Sequence, residues 1–100
     1  MDLGELTSRV DAVSRRYAAE FGFERNADWL LLKLHEEVGE LTQAHLMRTG
    51  QARAKGTSQH DRDARFAAEL ADVVCHACSS PATTASTCWQ RSNGKWLSHE

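Results

Sequence analysis

Leu34-His35-Glu36-Glu37-Val38-Gly39-Glu40-Leu41 sets three carboxylates into five positions of an apolar helical pattern. Glu69-Leu70-Ala71-Asp72 echoes the arrangement later in the chain. On a helix turning about 100° per residue, Glu37 and Glu40 lie roughly 60° apart, and so do Glu69 and Asp72. Each helix therefore presents a pair of carboxylates. Acid groups converging from two packed helices repel one another unless a positive charge sits among them, and hard oxygen donors in that number suit Mg²⁺ or Mn²⁺.

The surrounding chain of 100 residues has room for a single domain with a modest core. With 41% apolar and 26% charged residues, one Pro and six Gly, it reads as globular and mostly helical rather than disordered. A formal net charge of −2 argues against general nucleic-acid binding. No apolar run approaches the roughly 20 residues of a membrane span, and Met1-Asp2-Leu3-Gly4-Glu5 has neither the basic nor the apolar region of a secretory signal. The expected location is the cytoplasm, without a membrane partner. Cys75, Cys78 and Cys88 are an odd number crowded into the last quarter, which favours reduced thiols over a disulfide framework.

Asp2, with Glu5 three residues on, resembles a capping box, and Leu3, Leu6, Val10, Val13, Tyr17 and Phe21 then recur at helical steps before Gly22. A second helix starts at a cap on Asn26 or Asp28, carries the stripe Leu31, Leu34, Val38, Leu41 and His45, and ends near Gly50. With that stripe toward the core, Glu37 and Glu40 fall on a flank beside Lys33 and Arg48. Residues 49–60 lack periodicity, hold two Gly and two cations, and read as a mobile basic loop. A third helix begins at Asp61 or Asp63, with Phe66, Leu70, Val73 and Ala77 as its stripe, and should stop near Cys78. Beyond about residue 78 no amphipathic period survives, and Pro81 stops any helix. The fold expected is an all-α antiparallel bundle with an irregular tail. Three helices of this length leave apolar stripes uncovered, so a homodimer or homotetramer is expected to complete it.

Leu-Leu-Lys-Leu-His-Glu-Glu-Val-Gly-Glu-Leu at 31–41, followed by Ala-Ala-Glu-Leu-Ala-Asp-Val-Val at 67–74, resembles the MazG-like all-α nucleoside triphosphate pyrophosphohydrolases. Their signature is Glu-Glu-x-x-Glu on one helix and Glu-x-x-Asp on the next, and the likeness covers roughly residues 3–76. It implies an oligomeric helical enzyme that hydrolyses a (d)NTP to the monophosphate and pyrophosphate with Mg²⁺ or Mn²⁺, in nucleotide-pool house-cleaning. Glu37, Glu40, Glu69 and Asp72 match the metal-binding acids, and Glu36 matches the additional motif Glu, here assigned as the water-activating base. Charge and location make Lys33, Arg48, Arg53 and Lys55 candidates for phosphate contact, and Trp29 a candidate for stacking on a base.

The likeness ends after about Ala77, where that family continues the third helix and adds a fourth. Codons read one base out of register from Ala77 are able to spell Leu-Leu-Leu-Ala-Arg-His-His-Gly-Ile-Asp-Val-Leu-Ala-Ala-Val-Glu-Arg-Lys before the written frame resumes around Lys95-Trp96-Leu97. That string is a helix end, a turn and a new capped helix. Residues 78–94 are accordingly read as a compensated frameshift, by mutation or sequencing error.

Two blander readings compete. The acids could form a solvated face, with Lys33–Glu37 and Arg65–Glu69 pairs worth about 0.3–0.5 kcal/mol each, on an inactive helical oligomerisation module of the same ancestry. Cys75, His76, Cys78 and Cys88 superficially form a zinc set, but without the paired spacing such sites use.

Overall fold

The computed structural model describes residues 1–79 and 85–100, the side chains of 85–87 excepted. It is all-helical: α1 spans Leu3–Phe21, α2 Ala27–Arg48, α3 Gln59–Ala77 and α4 Ala85–Lys95, and a 3₁₀ turn follows at Leu97–His99. No strand occurs among the described residues. No helix among them is long and apolar enough to cross a membrane.

The caps explain where the helices begin and end. The Asp2 carboxylate accepts from the Glu5 amide at 2.8 Å, and α1 ends on Gly22, whose φ of 71° lets its amide turn back to Ala18. Asn26 caps α2 by accepting from the Trp29 amide at 2.8 Å. α3 starts earlier than the acid pattern suggests, because Ser58 and Asp61 form a reciprocal capping box: the Asp61 amide donates to the Ser58 hydroxyl at 3.1 Å, and the Asp61 carboxylate accepts from the Ser58 amide. Asp61 is thus the third residue of the helix rather than its cap.

The irregular tail expected after residue 78 is corrected by α4. Its segment, Ala-Ser-Thr-Cys-Trp-Gln-Arg-Ser-Asn-Gly-Lys, lacks an apolar period, but backbone hydrogen bonding needs none; the missing period speaks against burial, not against helix. Trp89 accordingly stands 62% exposed. The break expected at Pro81 lies outside the described residues.

α2 and α3 form the principal helix pair, an antiparallel hairpin: Arg48 lies 4.0 Å from Asp63 at one end, His45 meets the Phe66 ring at 5.9 Å, and Glu40 meets Glu69 further along. The face of α2 turned to α3 carries Leu30, Glu37 and Ala44, all buried. The stripe expected from periodicity was Leu31, Leu34, Val38, Leu41 and His45, with the acids on a flank. Instead α2 is rotated so that Glu37 occupies the middle of the packed face, leaving Leu31, Val38 and His45 exposed. Leu30, Leu31, Leu32, Leu34, Val38 and Leu41 make a broad apolar arc, and two rotations of the helix bury similar parts of it.

α1 lies against α3 and α4 and is tied to the start of α2 through the connecting turn. There Arg25, half-buried, reaches back to Asp11 at 2.7 Å, while Asp11 also holds Arg15 at 2.7 Å. Tyr17, Phe23 and Trp29 link up across the turn with ring centroids 5.7 Å and 4.9 Å apart. The result is open: the radius of gyration is 16.1 Å, against about 13 Å for a compact domain of this length.

Candidate metal centre

Residues three apart on a helix share a side, so the rotation that buries Glu37 also turns Glu40 toward α3. From α3, Glu69 lies in the same inward row as Phe66 and Val73. One carboxylate oxygen from each of Glu37, Glu40 and Glu69 lies within 4.8 Å of the others. Glu37 is only 6% exposed. Its Oε2 and the Oε2 of Glu69 are enclosed and have no hydrogen-bond partner.

Enclosing a carboxylate oxygen without a partner costs about 1–3 kcal/mol or more. The nearby positive charge is modest: Lys33 Nζ is 3.9 Å from Glu37 and 3.2 Å from Glu36. Burial raises the Glu37 carboxyl above its ordinary pKa, and the charges of Glu40 and Asp72 push it the same way, with His76 partly opposing. Glu69 is raised as well, by desolvation and then by Glu40 and Asp72. Carboxylates converging from two helices, two of them with an enclosed and unpartnered oxygen, are hard oxygen donors of the kind that could hold a divalent cation.

This arrangement sets a pH dependence. An unfolded Glu titrates near 4.5, and the folded Glu37 and Glu69 titrate above that. The metal-free fold carries no penalty below the unfolded value, and the penalty enters as pH rises through the elevated folded values. Adding Mg²⁺ or Mn²⁺ should therefore raise the melting midpoint more at about pH 7.5 than at about pH 5, where protons compete with the metal for the raised Glu37 and Glu69 carboxyls. Differential scanning fluorimetry across this range checks it; an equal shift at both pH values would contradict it.

Asp72 stands one helical turn past Glu69, exposed, and stays outside the close trio while its charge bears on both Glu37 and Glu69. Glu36 is also exposed and paired with Lys33. The distant cations are not brought together with the acids. Arg48 stacks on Phe66 at 4.1 Å beside Asp63, about 12 Å along α2 from Glu40. Arg53 and Lys55 project from the loop beyond it. Arg65 donates to Met47 Sδ at 3.2 Å rather than pairing with Glu69.

Beside the trio lies a cavity of about 540 Å³ whose walls include Tyr17, Phe23, Trp29, Lys33, Asp72 and His76. Lys33 and Asp72 form its border with the acids, and the three aromatics its far side. Periodicity placed Tyr17 in the apolar stripe of α1 and did not single out Phe23. Their signal was the crowding of Tyr17, Phe21, Phe23 and Trp29 around the Gly22 break. Cys75 also lines the wall, its thiol pushed above the usual range by burial and then by Asp72. The zinc set is not assembled: among the described residues, the acid trio is the group whose ligand atoms converge.

No family model, curated protein or solved structure matches this chain.

Proposed function

We propose that this chain is a metal-dependent nucleoside triphosphate pyrophosphohydrolase of the MazG-like kind, releasing pyrophosphate and a (d)NMP. The observation that carries the reading is the enclosed, unpartnered Oε2 of Glu37 set against Glu40 and Glu69, with Lys33, 3.9 Å from Glu37, and Asp72 leading from the trio to a cavity walled by three aromatic rings. A structural acid cluster has no need of an adjoining cavity of about 540 Å³, a size typical of small-molecule sites.

In this reading Glu37, Glu40 and Glu69, joined by Asp72 at the cavity border, hold the metal. A bound divalent ion supplies neutralisation of the phosphate oxygens and a lowered pKa for the attacking water. Trp29, with Phe23 and Tyr17 beside it, stacks on the base and fixes one end of the substrate. Lys33, kept protonated by Glu36 and Glu37 despite the cost of its partial burial, meets the phosphate chain at the other end. Glu36, accessible at the rim, accepts the proton of the attacking water as a P–O bond to the pyrophosphate breaks.

A panel of canonical and damaged (d)NTPs, assayed for pyrophosphate with Mg²⁺, with Mn²⁺ and with chelator, tests the reading. Metal-dependent release from at least one member is expected, and none from any would refute it. Lys33→Ala should raise KM about tenfold, since one charge-assisted phosphate contact is worth about 1.5–3 kcal/mol. An unchanged KM would return Lys33 to a plain partner of Glu36.

A further inference from the structure

We propose that Arg25 and Asp11 are positioning residues for the cavity beside the acids: their ion pair fixes its aromatic wall and thereby decides which base it accepts. The consequence for the base rests on the function proposed above, whereas the fixing of the wall does not.

α1 and α2 meet without close backbone packing, and the cavity opens between them, with Val10, Ser14 and Tyr17 on one wall and Trp29 and Lys33 on the other. The residues that join the two helices, Gly22 to Asn26, are held by short-range backbone bonds at each end. The Phe23 amide donates to the Ala18 carbonyl at 3.1 Å, and the Asn26 side chain accepts from the Trp29 amide. Those bonds define where each helix stops or starts and leave the distance across the cavity to side chains. Tyr17, Phe23 and Trp29 touch in sequence across it, but tilted and edge-on ring contacts tolerate a range of geometries. The directional contact is Arg25 Nη2 on Asp11 Oδ1 at 2.7 Å, from a planar guanidinium to a full carboxylate charge.

The pair stands where it acts on the wall. Asp11 lies about 60° round α1 from Ser14, at the edge of the cavity-facing arc. Arg25 lies between Phe23 and Trp29 in the chain, so anchoring it holds both rings against α1. Stability does not explain the choice of residue. The Arg25 side chain keeps 9% of its surface exposed, and its Nε is enclosed without a hydrogen-bond partner. An apolar side chain of similar length fills such a place at less cost, since a buried ion pair gains little over a hydrophobic one. What the pair adds is a single geometry. Hydrogen bonding from Arg15, and then from Arg25, holds the Asp11 carboxyl below its ordinary pKa against the raising effect of burial, so the carboxylate is charged at neutral pH. Arg15, its side chain 66% exposed, shares Asp11 from the solvent side and ties nothing to the cavity.

Arg25→Met tests the assignment, because it keeps length and burial and removes the charge. The variant should retain its helical circular dichroism and its melting midpoint. In chains labelled with fluorotryptophan, with one fluorine resonance for each of Trp29, Trp89 and Trp96, the Trp29 signal should shift or broaden while the other two stay in place. Arg25→Lys, which keeps a charge, should move it less, and the exposed control Arg15→Gln should leave it unmoved. Across the (d)NTP panel, Arg25→Met should raise KM for the preferred nucleotide about tenfold, leave kcat within about twofold, and narrow the spread of kcat/KM among bases. A measurement on the unaltered chain needs no substitution: the guanidinium N–H spectrum should show hindered rotation at Arg25 and free rotation at Arg15. An unmoved Trp29 resonance in Arg25→Met, a freely rotating Arg25 guanidinium, or an unchanged KM and base spread would each overturn the proposal. Displacement of Trp29 in a chain inactive on the whole panel would refute the pyrophosphohydrolase reading and leave the fixing of the wall standing.

Discussion

Glu37→Gln should reduce pyrophosphate release at least about a hundredfold and, at the same time, raise the melting midpoint of the metal-free protein. Losing a residue that merely supports a metal ligand already costs about 10–100-fold, and Glu37 is the most enclosed of the trio. The opposite sign for stability follows from its surroundings. At neutral pH the wild-type carboxylate is enclosed beside Glu40 and Glu69 with one oxygen unpartnered. The amide removes that charge, keeps the shape, and offers donors to carboxylates that have few. A gain of about 1–3 kcal/mol corresponds to several degrees in a domain this small. The midpoint shift produced by Mg²⁺ or Mn²⁺ should largely disappear in the same variant. Glu36→Gln supplies the contrast, because an exposed base outside the trio should lower kcat while leaving the metal-induced shift in place. A Glu37→Gln protein that keeps full activity, or keeps the metal-induced shift, would remove the metal assignment.

The largest gain in stability should come from replacing residues 78–94 with the string spelled by the shifted reading frame. As written, the described part of this stretch offers few large apolar groups: Trp89 is exposed, and Cys88 is half-buried. The chain correspondingly buries few apolar side chains, Ala18, Leu30 and Ala44 among the described residues, while Tyr17, Phe21 and Val13 remain exposed on α1. Burying five or six of the seven Leu, Ile and Val side chains that the string adds, at about 1.5–3 kcal/mol each and partly offset by ordering entropy, amounts to a large fraction of the 5–15 kcal/mol typical of a whole domain. Expressing both chains and comparing thermal midpoints decides the matter, with the shifted-frame protein expected to melt well above the written one. Equal midpoints would mean that the written stretch stabilises the protein in its own way.

Much of the helical framework was legible residue by residue because it rests on short-range chemistry. Asp2, Gly22 and Asn26 mark helix ends through hydrogen bonds and backbone preferences that span three or four residues; Asp2 and Gly22 fall where the pattern placed them, and Asn26 is the one of the two caps it offered, Asn26 or Asp28, that is used. Ser58 was overlooked in favour of Asp61 or Asp63, although Ser58 and Asp61 belong to one capping box. α4 was missed because an apolar period reports burial, and a helix with little to bury does not display one.

The sequence by itself determined that Glu37 shares a side of its helix with Glu40, since that depends only on 3.6 residues per turn. Only the tertiary structure decided which way that side faces. α2 has an apolar arc broad enough to pack in two rotations, and the one adopted against Phe66, Glu69 and Val73 puts a carboxylate where a leucine was expected. The same rotation sends Leu31 and Val38 outward, brings Lys33 and Trp29 to the cavity, and strands Arg48 with Asp63 and Phe66 at the far end of the hairpin. Helical period is a local property, whereas rotation about the helix axis is chosen by the partner helix, whose contribution comes from residues some thirty positions away in the chain.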